Sequence, residues 1–485
     1  MNELNDKSPR TPHWSVALIP LAFMVVVLSL VIRFFKTGAL DGGSQVALLL
    51  TSGLVIAIGM FIYDIPWKSF EDAIAANIGS VATSLLILLM IGAVAGTWMV
   101  SGVVPTLIYY GLHVISPKIF LFACCAIAAL VALMTGSSWT TIATIGVALI
   151  GIGDALGFSP GWTAGAIISG AYFGDKISPL SDTTVLASSA AGIDLFTHIR
   201  YMLGTTVPSI SIALIVFLLV SIFHSSASAI DIDSYCASLE STFNISLWLM
   251  VVPVITVVMI IKKVPAVLTL MISALTAGVT ALIAQPGIVA GIAGSDVLDF
   301  TSGFKGIMVT IYGQTAVSTG NPELDELVMT NGMTGMLPTI YLIISAIVFG
   351  ATMVGSGMLR SLTEALTRKI TGRFGTVTAT VFTGIFNNMA VGDQYLSIIL
   401  TCSLYKDLYD KNGLEGRLLS RAAEDSATVT SVLIPWNSCG MTQATVLRVA
   451  TIEYLPYCLF NILSPFMSMF IAAIGYKIIQ KEVRR

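Results

Sequence analysis

Charge is what this sequence lacks. Its 485 residues include 24 Lys and Arg and 27 Asp and Glu, so 11% are charged, where a soluble domain carries about 25%. Hydrophobic residues make up 55% and mean hydropathy is +0.89, more apolar surface than a soluble globular protein can keep from water. The same excess excludes a disordered chain. A net charge of −3 without a basic patch excludes a nucleic-acid binder. The six cysteines (Cys124, Cys125, Cys236, Cys402, Cys439, Cys458) follow neither a zinc spacing nor a disulfide framework, and read as small packing residues. No nucleotide-binding loop occurs, which leaves an ion gradient as the energy source. The N-terminus is not expected to be a cleavable signal: Met1–Pro12 is polar, and the apolar stretch behind it is longer than a signal core.

What is present is a series of charge-free runs, at 11–32, 42–63, 73–117, 119–153, 201–230, 265–295, 327–359, 374–392, 426–447 and 454–476. Most reach the roughly 20 residues that a helix needs to cross the hydrocarbon. None alternates as a barrel strand would. The expected fold is an all-α polytopic membrane protein whose partner is the lipid bilayer.

The chain carries an internal repeat. At an offset of 255, Thr97, Ser101 and Gly102 fall on Thr352, Ser356 and Gly357, and the polar break Gly136–Trp139 falls on Val391–Gln394. At an offset of 250, Asp175 falls on Asp425. Positive-inside reasoning orients the copies oppositely. The connector 103–118 holds only Lys118, whereas 358–373 holds Arg360, Arg368, Lys369 and Arg373 against Glu364. The helix 201–223 starts at Arg200 and ends in an acidic stretch, whereas 455–476 ends at Lys477, Lys481, Arg484 and Arg485. Oppositely oriented copies are the mark of an inverted-topology repeat, common in secondary transporters.

The implied organisation is a cytoplasmic tail at 1–13, repeat 1 at 14–223, an external connector at 224–245, repeat 2 at 246–476 and a cytoplasmic tail at 477–485. Spans fall near 14–35, 44–63, 79–101, 246–261, 265–284 and 335–358, with Lys262 and Lys263 inside and the polar stretch 285–334 outside. Arg33 and Lys36 fall outside, against the rule.

The segment 119–151 would make a helix of about 50 Å at 1.5 Å per residue, against a core of about 30 Å. A break at Gly136–Trp139 gives either two short tilted spans or a re-entrant hairpin with a polar tip. Its equivalent, 374–403, breaks across Asn387–Gln394. Irregular backbone at membrane depth survives only against protein or water, so both breaks point to a cavity.

Gly174-Asp175-Lys176-Ile177-Ser178-Pro179-Leu180-Ser181-Asp182-Thr183-Thr184 is the densest polar cluster, and Pro179 must break its helix. Two carboxylates, four hydroxyls and freed carbonyls suit a hard cation. Glu424-Asp425-Ser426-Ala427-Thr428-Val429-Thr430-Ser431, followed by Pro435-Trp436-Asn437, is the counterpart. Asp393 adds an acidic group at a tip, where it either marks an ion pathway or caps the tip locally. Lys176 is placed to compensate Asp175. His198 reads as a helix-end histidine at the interface, with a proton relay as the sharper alternative; His13, His113 and His224 read as interfacial. A carboxylate taken out of water holds its proton more tightly. A cation and a proton then compete for it, and one site exposed alternately to either side gives antiport.

These residues resemble the NhaC family of sodium/proton antiporters. The resemblance lies in the 174–184 cluster, in Ala191-Gly192-Ile193-Asp194-Leu195-Phe196-Thr197-His198-Ile199-Arg200, in Ala390-Val391-Gly392-Asp393-Gln394-Tyr395-Leu396-Ser397, and in 419–431 running on to Ile434-Pro435-Trp436-Asn437-Ser438-Cys439-Gly440. It implies a bacterial inner-membrane protein of the ion transporter superfamily exchanging Na⁺ for H⁺. Sodium-linked malate/lactate exchangers belong to the same family, so the substrate stays open. Val185–Ala190 departs from the family pattern, which has a polar residue and a proline there.

The expected ion and proton ligands are Asp175, Ser178, Asp182, Thr183, Asp393, Glu424, Asp425, Thr428 and Ser431, with Na⁺ on Asp175, Asp182, Glu424 and Asp425. Ser137, Ser138, Asn387, Asn388, Trp436 and Asn437 are expected to line a substrate cavity. No cofactor is expected beyond the transported Na⁺ and H⁺, and a homo-oligomer is left open. The rival reading is a sodium- or proton-coupled exchanger of small organic carboxylates or amino acids. An intramembrane aspartyl protease, suggested by Tyr63-Asp64 and Gly392-Asp393, fails because Ala390 stands where its second motif needs Gly.

Overall fold

The computed structural model describes residues 12–35, 42–223, 232–320, 324–325, 328–367, 370, 372–476 and 478. His224, Lys36, Arg368, Lys369, Lys477, residues 1–11 and residues 479–485 lie outside the described residues. Helices α1 (Trp14–Phe35), α2 (Gly43–Tyr63), α3 (Trp67–Val100) and α4 (Val103–Val114) open the chain. Next come α5 (Phe120–Thr135), α6 (Ser138–Ala155), α7 (Pro160–Ile177), α8 (Asp182–Ala191) and α9 (Leu195–Phe223). The connector holds α10 (Ile232–Thr242).

The second half starts with α11 (Leu247–Ile261) and α12 (Ala266–Ala284), followed by α13 (Pro286–Ile292) and α14 (Phe300–Tyr312). It continues with α15 (Leu337–Gly355), α16 (Met358–Thr367), α17 (Gly372–Val391), α18 (Gln394–Lys411) and α19 (Gly416–Ala423). A π-helical turn at Glu424–Thr428 extends α19, and α20 (Ser438–Leu447), α21 (Thr451–Tyr457) and α22 (Leu459–Ile474) end the chain. Among the described residues, eight helices are long and apolar enough to cross a membrane, and α10–α11 and α21–α22 are pairs bent by 82° and 55°.

The packing is that of a protein solvated by lipid. On α12, Leu268, Met271, Leu275, Val279 and Ile283 form an exposed stripe at helical spacing, while Thr269, Ser273 and Thr280 face inward. Ser273 receives the Trp98 indole N–H at 2.9 Å and the Thr256 hydroxyl at 2.8 Å, joining α12 to α3 and α11. The closest crossing, α5 on α7, depends on two glycines one turn apart. A Cβ at Gly170 would lie 2.0 Å from the Cys125 carbonyl oxygen, and one at Gly174 would lie 2.1 Å from that of Ala129. Small residues of this kind let membrane helices touch backbone to backbone.

The repeat is present in local geometry. α3 and α15 end alike: the Ser101 and Ser356 amides bond the Thr97 and Thr352 carbonyls, and Gly102 and Gly357 follow at φ 82° and 70°. These ends keep the 255-residue offset. At the breaks, however, the register is one residue longer, a shift of 256 positions from Gly136 to Gly392. Each of these glycines ends its helix in the left-handed conformation, at φ 65° and 72°. The residues after them, Ser137 and Asp393, each cap the next helix by accepting an amide N–H, from Thr140 and Leu396. The same shift carries Pro179 onto Pro435 and Asp175 onto Ser431, not onto Asp425. The second break is also narrower than expected: α17 runs unbroken through Asn387–Val391.

Candidate ion site

A cavity of about 290 Å³ forms where the α5–α6 tip, the α7–α8 break and the start of α18 meet. Ser137, Ser138, Asp175, Asp182, Thr183 and Gln394 supply its polar wall, and Trp139 and Tyr395 its aromatic one. The exposed Lys263 of the α11–α12 turn also lines it.

Three local causes place these groups. Pro179 ends α7, and the freed Lys176 carbonyl accepts the Thr184 hydroxyl at 3.0 Å. The Ser178 hydroxyl crosses to the Leu133 carbonyl at 2.9 Å, tying the break to the α5 end. At the positive end of α6 the Ser138 N–H and hydroxyl both donate to Asp175 Oδ2, at 3.0 and 2.7 Å. Asp175 Oδ1 is buried and has no hydrogen-bond partner. Asp182 is exposed on the cavity side at the start of α8.

Repeat 2 builds the same frame with a hydroxyl in place of the Asp175 carboxylate and a carboxylate, Asp393, in place of Ser137. Ser431, the positional counterpart of Asp175, donates to the Thr428 carbonyl at 2.7 Å and lies 3.3 Å from Gln394 Oε1, the counterpart of Ser138. The Met389 carbonyl, counterpart of Leu133, accepts the Trp436 indole N–H at 2.8 Å. Asp393 Oδ1 caps α18 through the Leu396 N–H at 2.9 Å, and its Oδ2 accepts the Ser438 hydroxyl at 3.3 Å.

Asn388 and Asn437 are fully buried and bond backbone: Asn388 donates to the Ala427 carbonyl, and Asn437 to the Asn388 carbonyl. Asn387 donates to the Thr401 hydroxyl at 3.1 Å. Of the six expected cavity residues, Ser137 and Ser138 line the cavity, while Asn387, Asn388, Trp436 and Asn437 lie outside its wall.

The carboxylates divide into two groups. Asp175 and Asp182 face the cavity; Glu424 and Asp425 are fully buried and do not line it. Lys176 does not compensate Asp175. Its ammonium bonds Asp425 Oδ1 and reaches the Ser464 hydroxyl at 3.1 Å, because successive helix residues point about 100° apart. Thr205 and Ser464 also donate to Asp425 Oδ1, at 3.1 and 3.0 Å. His198 is fully buried, not interfacial, with Nδ1 2.8 Å from the Ser420 hydroxyl. The Arg421 guanidinium, 1% exposed, lies 4.5 Å from the Tyr201 ring.

Gln394 and Tyr395 were not expected in the cavity. The signal was available: Gln394 follows Asp393 as Ser138 follows Ser137, but the offset of 255 hides it by one residue. Ser464 carried no signal, since it sits in an apolar run 39 residues from Asp425.

A model of the Na⁺/H⁺ antiporter family matches residues 7–201 and 170–476. The chain belongs to that family. Within it, this chain is 37% identical over 409 residues to the Na⁺/H⁺ antiporter NhaC of Alkalihalophilus pseudofirmus, covering 84% of this chain and 86% of that one. It is 35% identical over 447 residues to the malate-2H⁺/Na⁺-lactate antiporter of Bacillus subtilis, covering 90% and 92%. It is 31% identical over 477 residues to the arginine/ornithine antiporter ArcD of Halobacterium salinarum, covering 98% and 94%. Family membership makes the protein a multi-pass membrane transporter.

Proposed function

We propose that the protein exchanges Na⁺ for H⁺ across the bacterial inner membrane, with both termini cytoplasmic, and that Na⁺ is taken at Asp175 and Asp182. One observation carries this reading: the charged side chains lining the cavity are two carboxylates, Asp175 and Asp182, and one lysine, Lys263. A hard cation suits Asp175 Oδ1 together with the neighbouring hydroxyl oxygens. By the positive-inside rule the Lys263 side of the cavity faces the cytoplasm, which supports loading of Na⁺ from inside. Asp393, with one oxygen on the Leu396 amide and the other on Ser438, would hold the second tip closed as loading proceeds at the first.

The rival reading, exchange of small organic carboxylates or amino acids, draws support from the names of two relatives. An organic anion would meet two carboxylates in the cavity, against one lining lysine, Lys263. Lys176 is held by Asp425 and Arg421 stacks on Tyr201, and neither lines the wall. Proteoliposomes with an internal pH dye separate the two. Na⁺-driven pH change without organic solute supports Na⁺/H⁺ exchange. An absolute requirement for malate, lactate, arginine or ornithine overturns it.

A further inference from the structure

Beside the cavity, and closed off from it, lies a second ionisable group with unequal charges. Lys176, Glu424 and Asp425 are all fully buried, and none lines the cavity. The single ammonium is committed to Asp425 Oδ1, which also accepts from Thr205 and Ser464. Glu424, the adjacent residue, has neither oxygen partnered, and the Thr428 hydroxyl one turn on is also unpartnered. One cation cannot neutralise two carboxylates, and an uncompensated buried charge takes up a proton rather than persist. Two adjacent carboxylates sharing one lysine therefore hold one proton between them.

The surroundings leave few other groups to carry that proton. α8, α17, α18, α19 and α22 pack on the Glu424–Thr428 turn, with α7 and α9 alongside. From α7 come Lys176 and Asp175, and from α9 comes His198, whose Nε2 is unpartnered. From α18 comes the fully buried Cys402, and α22 offers the hydroxyl of Ser464. Arg421 on α19, also buried, lies over the Tyr201 ring with its Nε and one Nη without a hydrogen-bond partner. Glu424 and Asp425 are the carboxylates of this group, and Asp425 is the one already paired.

We propose that Glu424, with Lys176 and Asp425, forms a proton-only site, separate from the Na⁺ cavity and coupled to it through α7. The coupling is covalent and short. Asp175, on the cavity, and Lys176, in the buried group, are consecutive residues next to the Pro179 break. When Glu424 gives up its proton, two carboxylates compete for Lys176, and the ammonium moves toward Glu424. That movement turns the end of α7 and changes how Asp175 is presented to Na⁺. Na⁺ and H⁺ then act on each other's affinity from two places, as linked sites must. They do not contest one carboxylate.

This inference rests on the Na⁺/H⁺ reading, and the tests keep the two apart. In wild-type proteoliposomes the apparent KM for Na⁺ is measured across pH. Linked sites raise it as pH falls and then reach a ceiling, between about 5- and 150-fold above the alkaline value. A shared carboxylate raises it about tenfold per pH unit without a ceiling, and that result overturns the proposal. E424Q should retain ²²Na⁺ counterflow, lose Na⁺-driven proton flux and give a KM independent of pH. Wild-type proton flux in E424Q, or loss of counterflow in a correctly inserted E424Q, removes Glu424 from this role. Should E424Q not insert, the wild-type ceiling decides alone. H198Q should keep the pH dependence, and its loss there would move the proton to His198 and overturn the assignment. If wild type moves no protons with Na⁺ alone, it is the Na⁺/H⁺ reading that fails, before any variant is made.

Discussion

Ser138 grips one oxygen of Asp175 twice, through its N–H at 3.0 Å and its hydroxyl at 2.7 Å, and leaves the other oxygen without a partner. A carboxylate held this way cannot rotate freely, so its bare oxygen keeps a fixed aim. Asp175→Asn keeps the volume and removes the charge. Normal insertion with Na⁺-dependent proton flux near background is expected, and wild-type flux would remove Asp175 from the mechanism.

Ser138→Ala leaves the charge and deletes one of the two donors. A hydrogen bond to a charged group contributes about 1.5–3 kcal/mol. Part of that loss should appear as a KM for Na⁺ raised about tenfold, with maximal velocity changed much less. An unchanged KM would mean that the backbone N–H alone orients Asp175.

The contact of α5 with α7 predicts a stability difference between two glycines. A Cβ at Gly174 meets the Ala129 carbonyl oxygen at 2.1 Å, whereas one at Gly204 on α9 meets nothing within 4 Å. Gly174→Ala should lower the melting temperature of the detergent-solubilised protein, with an overpacking cost of about 1–3 kcal/mol. Gly204→Ala should be neutral or stabilising. Equal melting temperatures would show that α5 and α7 separate freely.

The connectors that follow the matched helix ends at Ser101-Gly102 and Ser356-Gly357 differ in charge, which places them on opposite sides by the positive-inside rule. α4 and α16 begin just after them. Single cysteines at Tyr110 and Ala365, in a background without the native six, should react with impermeant thiol reagents from opposite sides. Labelling from the same side would rule out the inversion.

Asp299 caps α14, with its Oδ1 accepting the Ser302 N–H at 2.7 Å. This bond and that from the Ser302 hydroxyl hold its carboxyl below the ordinary range. A depressed value means that the cap stabilises α14 above the ordinary carboxylate pKa and is lost as pH falls through the lowered one. Amide protection in the first turn of α14, taken relative to the intrinsic exchange rate at each pH, should therefore fall on acidification. Asp299→Ala should show low protection at every pH, and a protection that still falls with acid in that variant would assign the effect elsewhere.

Much of the fold is written in where charge is missing. Span limits near 14–35, 265–284 and 335–358 match α1, α12 and α15 closely, because a charged residue or a helix breaker bounds each run. Pro179 and Pro435 mark their breaks because proline has no N–H to give. The Asn387–Asn388 pair was less legible. Polar residues suggest a loop, yet these two sit inside α17 because they bond the Thr401 hydroxyl and the Ala427 carbonyl. Pairing was the least legible of all. Sequence adjacency suggests that Lys176 serves Asp175, but helical rotation sends it to Asp425, 249 residues away. His198 misled for a related reason: its polarity suggests an interface, and only the tertiary fold supplies Ser420.

Trp139 stands in the cavity wall, 8% exposed, one residue from the Ser138 that holds Asp175. The other six tryptophans, at 14, 67, 98, 162, 248 and 436, lie away from that wall. Indole emission follows the polarity and charge of its surroundings, so the protein carries its own optical gauge at the place where the ion would bind. A chain keeping only Trp139 would report filling of the cavity as a change in colour or brightness, with no label attached. The concentration at half-change would give the binding constant with no turnover at all, which a flux assay cannot do.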